Sequence, residues 1–310
     1  MRIVFFGTGE FAVPALTLLH DSGYEIVCAV TVKPRPSGRG RRLSPSPVAA
    51  AASRMGIRVI APADPHADEV VTEITAMKPD AGVLAAYGVV LKPVLLDLPR
   101  FGIVNIHPSL LPAYRGAAPI QRQLMNGESR GGVTLILLSA EVDAGDIIAR
   151  TEVDISSDET AEELAQRLAI VGAGLLPQVL KSLETGNTKR CPQDESKATR
   201  APRITRADRI IDWSQLALDV HNRIRALSPR PGAVTTFRGR RLVVVRSRLL
   251  SFAADSVPGT IERCRGTLTV ACGDRFIELV TVKPEGGRAQ SGNEFCNGRR
   301  PRPGERFGES

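Results

Sequence analysis

The sequence predicts an α/β protein in which a mostly parallel sheet is followed by a smaller all-β domain. Three observations predict it. Apolar strand-like runs alternate with helical patterns as far as about residue 186. Two of these runs, "AGVLAAY" (81–87) and "GIVNI" (102–106), are apolar on both faces, as strands covered by helices on each side are. Beyond residue 206 the chain turns to several short strands divided by Gly and Pro, which reads as a small antiparallel barrel or sandwich. A length of 310 residues also exceeds what one ordinary core needs.

Taken in order, "RIVFF" (2–6) is the first strand, and "GTGEF" (7–11) turns into a helix through "AVPALTLLHDSG" (12–23). There follow a strand "EIVCAVT" (25–31), a helix near "PVAAAASRMG" (47–56), a strand "IRVIA" (57–61) and a helix at "DEVVTEITAM" (68–77). After the two fully apolar strands, "GGVTLILLS" (131–139) and "DIIARTEVDI" (146–155) are later strands of the same sheet. A long helix over 158–186 closes the domain. Asp158 is its expected cap, Glu162 and Glu163 suit its first turn, Pro177 is expected to kink it, and Gly186 follows its end. The polar stretch to Arg206, with Pro192 and Pro202, is a linker. "DWSQLALDVHNRIRALS" (212–228) is a helix, five short strands follow to residue 282, and one short helix is expected in the Gly- and Arg-rich tail. The expected divisions are 1–188, a linker at 189–206, and 207–310.

Composition narrows the function. No apolar run is long enough for a membrane span, and the N-terminus reads as a strand and not a signal peptide. The five cysteines are scattered and form no CxxC pair, so free thiols in a reducing cytosol are expected, not a zinc site or disulfide framework. The net charge of +8 is unevenly spread. Residues 1–200 hold 21 Lys and Arg against 22 Asp and Glu, whereas 201–310 hold 20 against 11. An excess confined to the last third points to a polyanionic partner, nucleic acid first.

The chemistry concentrates in "NIHPSLLPAYRGAAPIQ" (105–121), where a buried strand ends in Asn105 and His107 and enters a loop stiffened by Pro108 and Pro112. Ligands bind beyond the C-terminal ends of open parallel sheets. A second polar cluster, "EVDAGD" (141–146), follows another strand and places Asp143 at a turn near Gly145. Taken singly, a histidine is a structural residue, and an Asn or Asp at a strand end is a turn former. Together they supply an amide donor, a proton carrier and a carboxylate, a combination suited to acyl transfer. Two rivals are weaker. A Ser109–His107–Asp143 triad asks Ser109 to reach a histidine two residues away and lacks a GxSxG elbow. A metal site at His107 and Asp143 lacks a third ligand, since His20, His66 and His221 fall in helical patterns.

Two loops near the cleft add detail. "GTGEF" offers a helix N-terminus to a phosphate, but it is not GxGxxG and no acidic residue ends the second strand, so a nicotinamide site has little support. Lys33, Arg35, Arg39, Arg41 and Arg42 lie in a loop with no acid, kept flexible by Gly38 and Gly40. Its place after the second strand suits clamping a phosphate backbone.

"NIHPSLLPAYRGAAPIQ" and "VDAGDII" (142–148) resemble the folate-dependent formyltransferases, and the resemblance spans nearly the whole chain. Within that family, "RGAAPIQ", "SGRGRRLSPSPV", "APRI…IDW" and "NGRR" (297–300) resemble the branch that acts on charged initiator tRNA. The resemblance implies a Rossmann-like formyltransferase catalytic domain, then a linker, then an OB-like β-barrel domain that holds tRNA. It implies a cytoplasmic monomer, away from membranes, that moves a formyl group from 10-formyltetrahydrofolate to the α-amino group of methionine on initiator Met-tRNA. No metal is implied. Asn105, His107 and Asp143 match the catalytic residues. Ser109, Leu110, Leu111 and Pro112 match a folate-contacting segment, and "VLAAYG", with Ala86, Tyr87 and Gly88, matches the lining of the pterin pocket. The Lys33–Leu43 loop matches the one that enters the acceptor stem. Arg200, Arg230 and Gln290 depart from the family pattern, outside the catalytic set. A sugar-nucleotide formyltransferase shares both domains, and a non-catalytic RNA-binding protein of this fold is a second alternative.

Overall fold

The computed structural model describes residues 1–37, 42–302 and 304–309, with backbone alone at 35–37, 42 and 263–265. The elements run β1 (Arg2–Gly7), α1 (Val13–Asp21), β2 (Glu25–Val30), β3 (Arg35–Ser37), β4 (Arg42–Ser44), α2 (Pro47–Arg54), β5 (Val59–Ile60), α3 (Asp68–Ala76), β6 (Ala81–Ala85), α4 (Pro93–Leu96) and β7 (Ile103–His107). Next come α5 (Pro119–Met125), β8 (Arg130–Leu137), β9 (Ile147–Asp154) and α6 (Ala161–Glu184). The remainder is α7 (Ala217–Leu227), β10 (Ala233–Phe237), β11 (Arg240–Ala253), β12 (Ile261–Arg265), β13 (Thr267–Ala271), β14 (Arg275–Pro284), β15 (Gln290–Ser291) and α8 (Gly292–Arg299). Two compact units result: Met1–Pro119 with Arg130–Asp154 and Ala165–Ala201, and Ile120–Ser129 with Ile155–Leu164 and Pro202–Ser310.

The first unit is a Rossmann-like sheet of seven strands in the order β5-β2-β1-β6-β7-β8-β9. The first five are parallel, while β8 and β9 join antiparallel. The chain winds one way from β1 through β2 to β5 and the other way through β6 and β7. The order therefore reverses between β1 and β6, where an open α/β sheet presents its crevice. Thr8 Oγ1 donates to the Tyr87 carbonyl at 2.9 Å and ties the two strand ends together at that point. Gly7 suits this place, because a Cβ there would lie 2.7 Å from the Phe5 ring and 3.1 Å from the Ala85 carbonyl oxygen.

Two expectations need correction here. The cap of α6 is Thr160, not Asp158. Thr160 Oγ1 accepts from the Glu163 amide at 3.3 Å while Glu163 Oε2 accepts from the Thr160 amide at 2.8 Å. The T-x-x-E spacing of a reciprocal capping box decides the start, and Asp158 turns to His221 instead, 3.3 Å away. His66 lies in a turn ahead of α3, its Nδ1 on Asp64 at 3.0 Å, and not in a helix. Helix α6 runs on through Pro177. Within the stretch expected to be a loop, the described residues include two short strands, β3 and β4, that pair antiparallel, Arg35 with Ser44 and Ser37 with Arg42.

The second unit is a curled antiparallel sheet, an OB-like half-barrel, in the order β10-β11-β14-β13-β12 with β15 against β14. Its core is closed by aromatic rings, with Phe237 edge-on to Phe295 at 5.3 Å and Trp213 Nε1 hydrogen-bonded to Thr235 Oγ1 at 3.0 Å. Burying such rings is the largest apolar contribution a small sheet can make. Cys28, Cys191 and Cys272 are free thiols, but Cys296 is disulfide-bonded, which corrects the expectation of free cysteines throughout. No helix among the described residues is long and apolar enough to cross a membrane.

Candidate active site

Strand β7 ends the apolar run with Asn105 and His107, and alternation along a strand sends both side chains to one face. Ile106, between them, faces the other way and packs beneath α6. A Cβ on Gly172 would lie 2.6 Å from Ile106 Cγ2. Asn105 and His107 are 6% and 4% exposed, and Asp143 is 9% exposed, so all three sit where water screens little.

Asp143 comes from the turn after β8, with φ of 55°. The left-handed region is unfavourable for a residue with a Cβ, so the surroundings must hold it. Gly145 makes the turn possible, because any Cβ there would lie 1.7 Å from the Leu137 carbonyl oxygen. The carboxylate serves three partners. Asn105 Nδ2 donates to Oδ1 at 3.3 Å, the Gly116 amide donates to Oδ2 at 2.9 Å, and His107 Nδ1 lies 3.6 Å from Oδ2.

His107 Nε2 is 3.0 Å from the Tyr114 carbonyl oxygen. A carbonyl only accepts, so Nε2 bears the proton and Nδ1 is the nitrogen that titrates, facing Asp143. Burial pushes the imidazole below its ordinary value, while Asp143 and then the Tyr114 carbonyl pull it back up. Burial is the largest of the three, so the ring is neutral at pH 7 with a free lone pair on Nδ1. Asn105 Nδ2 has two protons and gives one to Asp143 over a long bond. Among the described residues nothing else takes the other.

The sequence named other residues here, and their surroundings differ. Ser109 Oγ donates to the Ala113 carbonyl at 2.7 Å, so it is turned away from any triad with His107. Leu111 is fully buried, and its amide donates to Thr134 Oγ1 at 3.1 Å; Leu110 and Pro112 are half-buried. Ala86 and Gly88 are exposed at the β6 turn with φ of 44° and 82°, while the Tyr87 ring is buried edge-on to Phe6 at 5.7 Å. Tyr87 therefore contributes backbone and core packing, and its neighbours present the turn to solvent. Lys33 is exposed. Arg39 and Arg41 lie outside the described residues, and Arg35 and Arg42 are described in backbone only. Among the described residues no three His, Cys, Asp or Glu side chains group to hold a metal ion.

Sequence reasoning missed Arg115, Gln193 and Glu195. Arg115 is 1% exposed, and its guanidinium contacts Gln193 and Glu195, some 80 residues away in the stretch read as linker. As far as Ala201 that stretch is part of the first unit, and isolated bridges pair Cys191 with Ile147 at the start of β9 and Arg200 with Arg115. A polar, proline-bearing segment looks like a tether unless its contacts are known. The run "PQDES" (192–196) was the available signal, but nothing in it names a partner. Arg200, a departure from the family pattern, reaches Glu141 at 3.5 Å on the surface.

A buried amide, a neutral imidazole and a carboxylate grouped beyond the end of a parallel-sheet strand are a set suited to acyl transfer. The chain belongs to the formyl transferase family: the model of formyl transferase matches residues 1–180 and that of the formyl transferase C-terminal domain matches 203–300. It is 41% identical to the methionyl-tRNA formyltransferase of Solibacter usitatus over 309 residues, all of this chain and 99% of that protein. Among solved structures, the fold resembles a sugar 3N-formyl transferase, WlaRD, with a TM-score of 0.68 at 18% identity, covering 90% of this chain and 97% of the other. It also resembles a methionyl-tRNA formyltransferase from Clostridium thermocellum, with a TM-score of 0.59 at 17% identity, covering 81% and 94%.

Proposed function

We propose that the protein transfers the formyl group of 10-formyltetrahydrofolate to the α-amino group of methionine on initiator Met-tRNA, giving formylmethionyl-tRNA. The observation that carries the reading is one carboxylate, Asp143, addressed through Oδ1 by Asn105 and through Oδ2 by His107. In this reading residues 1–188 form the catalytic domain, 189–206 the linker and 207–310 the tRNA-binding domain. The protein works in the cytoplasm as a monomer.

The roles follow from the chemistry. As the α-amine attacks the formyl carbon, its carbonyl oxygen gains negative charge. The second Nδ2 proton of Asn105 is the donor for that oxygen, and donors matter most where charge develops. The amine becomes acidic on attack, and Nδ1 of His107 holds a lone pair to receive its proton, directly or through a water. The imidazolium so formed faces Oδ2 of Asp143, which stabilises it. The folate co-substrate supplies the activated formyl group. Collapse of the intermediate breaks the bond between the formyl carbon and N10, and the imidazolium of His107 returns its proton to N10, directly or through a water, releasing tetrahydrofolate. Ser109–Pro112 and Ala86–Gly88 border the place it would take, with the exposed Ala86 and Gly88 turn and the half-buried Leu110 and Pro112 as the contact surfaces.

A pH profile follows from the imidazole. Catalysis needs neutral Nδ1, and burial lowers the folded pKa, so activity falls only as pH drops through that depressed value. The acceptor α-amine titrates in the same range, so the profile is read after dividing by the unprotonated fraction of the acceptor. So corrected, kcat/KM should stay level from pH 7 to below the ordinary imidazole value of about 6.5. An acid limb centred above that value would contradict the neutral-base role.

The basic segment Lys33–Leu43 is assigned to the tRNA phosphate backbone. Arg41→Ala with Arg42→Ala should weaken tRNA binding and reduce the slope of log affinity against log salt by about one to two. An unchanged slope removes the segment from the interface. The reading as a whole is tested by offering methionyl-tRNA and an amino-sugar nucleotide as acceptors with the same formyl donor. Formylation of the sugar and not of the tRNA would replace it.

A further inference from the structure

The segment read as a linker reaches the turn that carries Asp143, through the side chain of Gln193. We propose that Gln193 is a positioning residue which, held by Arg115, fixes the Asp143 turn in its left-handed conformation and so aims the carboxylate at Asn105 and His107. The inference rests on the catalytic reading above for its kinetic part and on geometry alone for the rest.

Gln193 donates through Nε2 to the carbonyl oxygens of both Asp143 and Gly145, each at 2.8 Å. These are the two constrained residues of the turn, Asp143 by its left-handed φ of 55° and Gly145 because the Leu137 carbonyl leaves no room for a Cβ. One amide group thus spans the strained turn and satisfies both of its inward carbonyls. Its orientation is decided at the other end. Gln193 Oε1 accepts from Arg115 Nε at 3.0 Å and from Nη2 at 2.8 Å, and a guanidinium offers donors only. If the amide flipped, its NH2 would face the guanidinium and its oxygen would face two carbonyls.

Arg115 is fixed in turn. It forks onto Glu195 with Nη1 to Oε2 at 2.9 Å and Nη2 to Oε1 at 2.7 Å, a bidentate pair. The Glu195 pair raises the Arg115 pKa further, so the charge is permanent. The Arg115 backbone is held as well, its amide on the Thr199 carbonyl at 2.8 Å and its carbonyl accepting from the Ala201 amide at 2.7 Å. The same loop supplies the Tyr114 carbonyl to His107 and the Gly116 amide to Asp143. Gly116 tolerates this approach because a Cβ would lie 2.8 Å from the Ala201 carbonyl oxygen. Residues 191–201 therefore brace both loops that meet at the carboxylate.

The test uses the full-length protein with Gln193→Glu, which keeps the size and the Arg115 contact but has no proton for the two carbonyls. Gln193→Leu, of similar volume, is the second variant, and serves alone should the first not fold. The expected result has two parts. The kcat for formyl transfer falls on the order of ten- to a hundredfold, with KM for the formyl donor and tRNA affinity within about twofold of wild type, since misplacement by an ångström suffices for such a loss. Independently, NMR titration of the His107 ring in Gln193→Leu, which adds no charge near the site, shows a lower pKa than in wild type, because a displaced Asp143 no longer raises it. The charged groups around this ring are Asp143 and, beyond it, Arg115 with Glu195 and Glu141. A simple loss of stability would lower the folded fraction and leave the titration of the folded molecules unmoved. A folded variant with wild-type kcat and an unchanged His107 titration overturns the inference. Failure of the wild-type protein to formylate any tRNA overturns the catalytic reading instead, and the titration then still decides the role of Gln193.

Discussion

Asn105→Ala should lower kcat for formyl transfer by on the order of a hundredfold to a thousandfold, about 2.7–4 kcal/mol of transition-state stabilisation. Nδ2 of Asn105, a residue only 6% exposed, has a proton left over after its long bond to Asp143. A donor there is oriented before the reaction begins and competes with little water. The substitution removes no apolar packing of consequence and leaves the β7 backbone pairing with β6 and β8 unchanged in kind. Affinity for tRNA should therefore stay close to wild type, while the melting temperature falls by a few degrees, because Oδ1 of buried Asp143 loses its donor, about 1–3 kcal/mol. Steady-state and single-turnover kinetics with both substrates saturating check it. A variant that loses tRNA affinity and activity together would indicate a folding defect, and one that retains kcat would take Asn105 out of the chemistry.

The second large effect is expected from Gly145→Ala. Ordinary overpacking of a core costs about 1–3 kcal/mol. Here the new methyl would meet a backbone carbonyl oxygen at 1.7 Å, and backbone cannot rotate away as the end of a side chain can. The turn must open, and with it go the two carbonyls bound by Gln193 and the aim of Asp143. A kcat loss on the order of a hundredfold should accompany a lower melting temperature, since both follow from one displaced turn. Gly9→Ala, where a Cβ would meet nothing within 4 Å, is the matched control and should leave both quantities near wild type. Full activity in Gly145→Ala would mean that the turn relaxes without consequence for the site.

Much of this was legible in the sequence for identifiable reasons. Strands β6 and β7 are apolar on both faces, so their burial could be read directly, and β7 announces its end with Asn105 and His107. The T-x-x-E box at Thr160 was readable too, but a nearby aspartate made a competing cap. The antiparallel entry of β8 and β9 was not visible, because strand direction depends on the path of the loop between strands and not on side-chain alternation. Nor could the sequence show that Arg115 meets Gln193 and Glu195, since a buried guanidinium and an exposed one are the same letter. The identity of Asp143 was accessible from its neighbours in "VDAGD", whereas its left-handed backbone, and the residue that holds it, emerged only with the fold.

Gly172 bears on how the chain can be altered. An alanine in the middle of α6 would favour the helix by about 1 kcal/mol over glycine, and a designer seeking heat resistance would choose that change early. The helix is seated so closely on Ile106 and Val133 that a single methyl would have to wedge it away from the strand bearing the amide and the imidazole. The evident route to a sturdier helix is therefore a route to a blunted catalyst, and durability in this half of the molecule has to be sought on the outward side of α6, as at exposed Gly174.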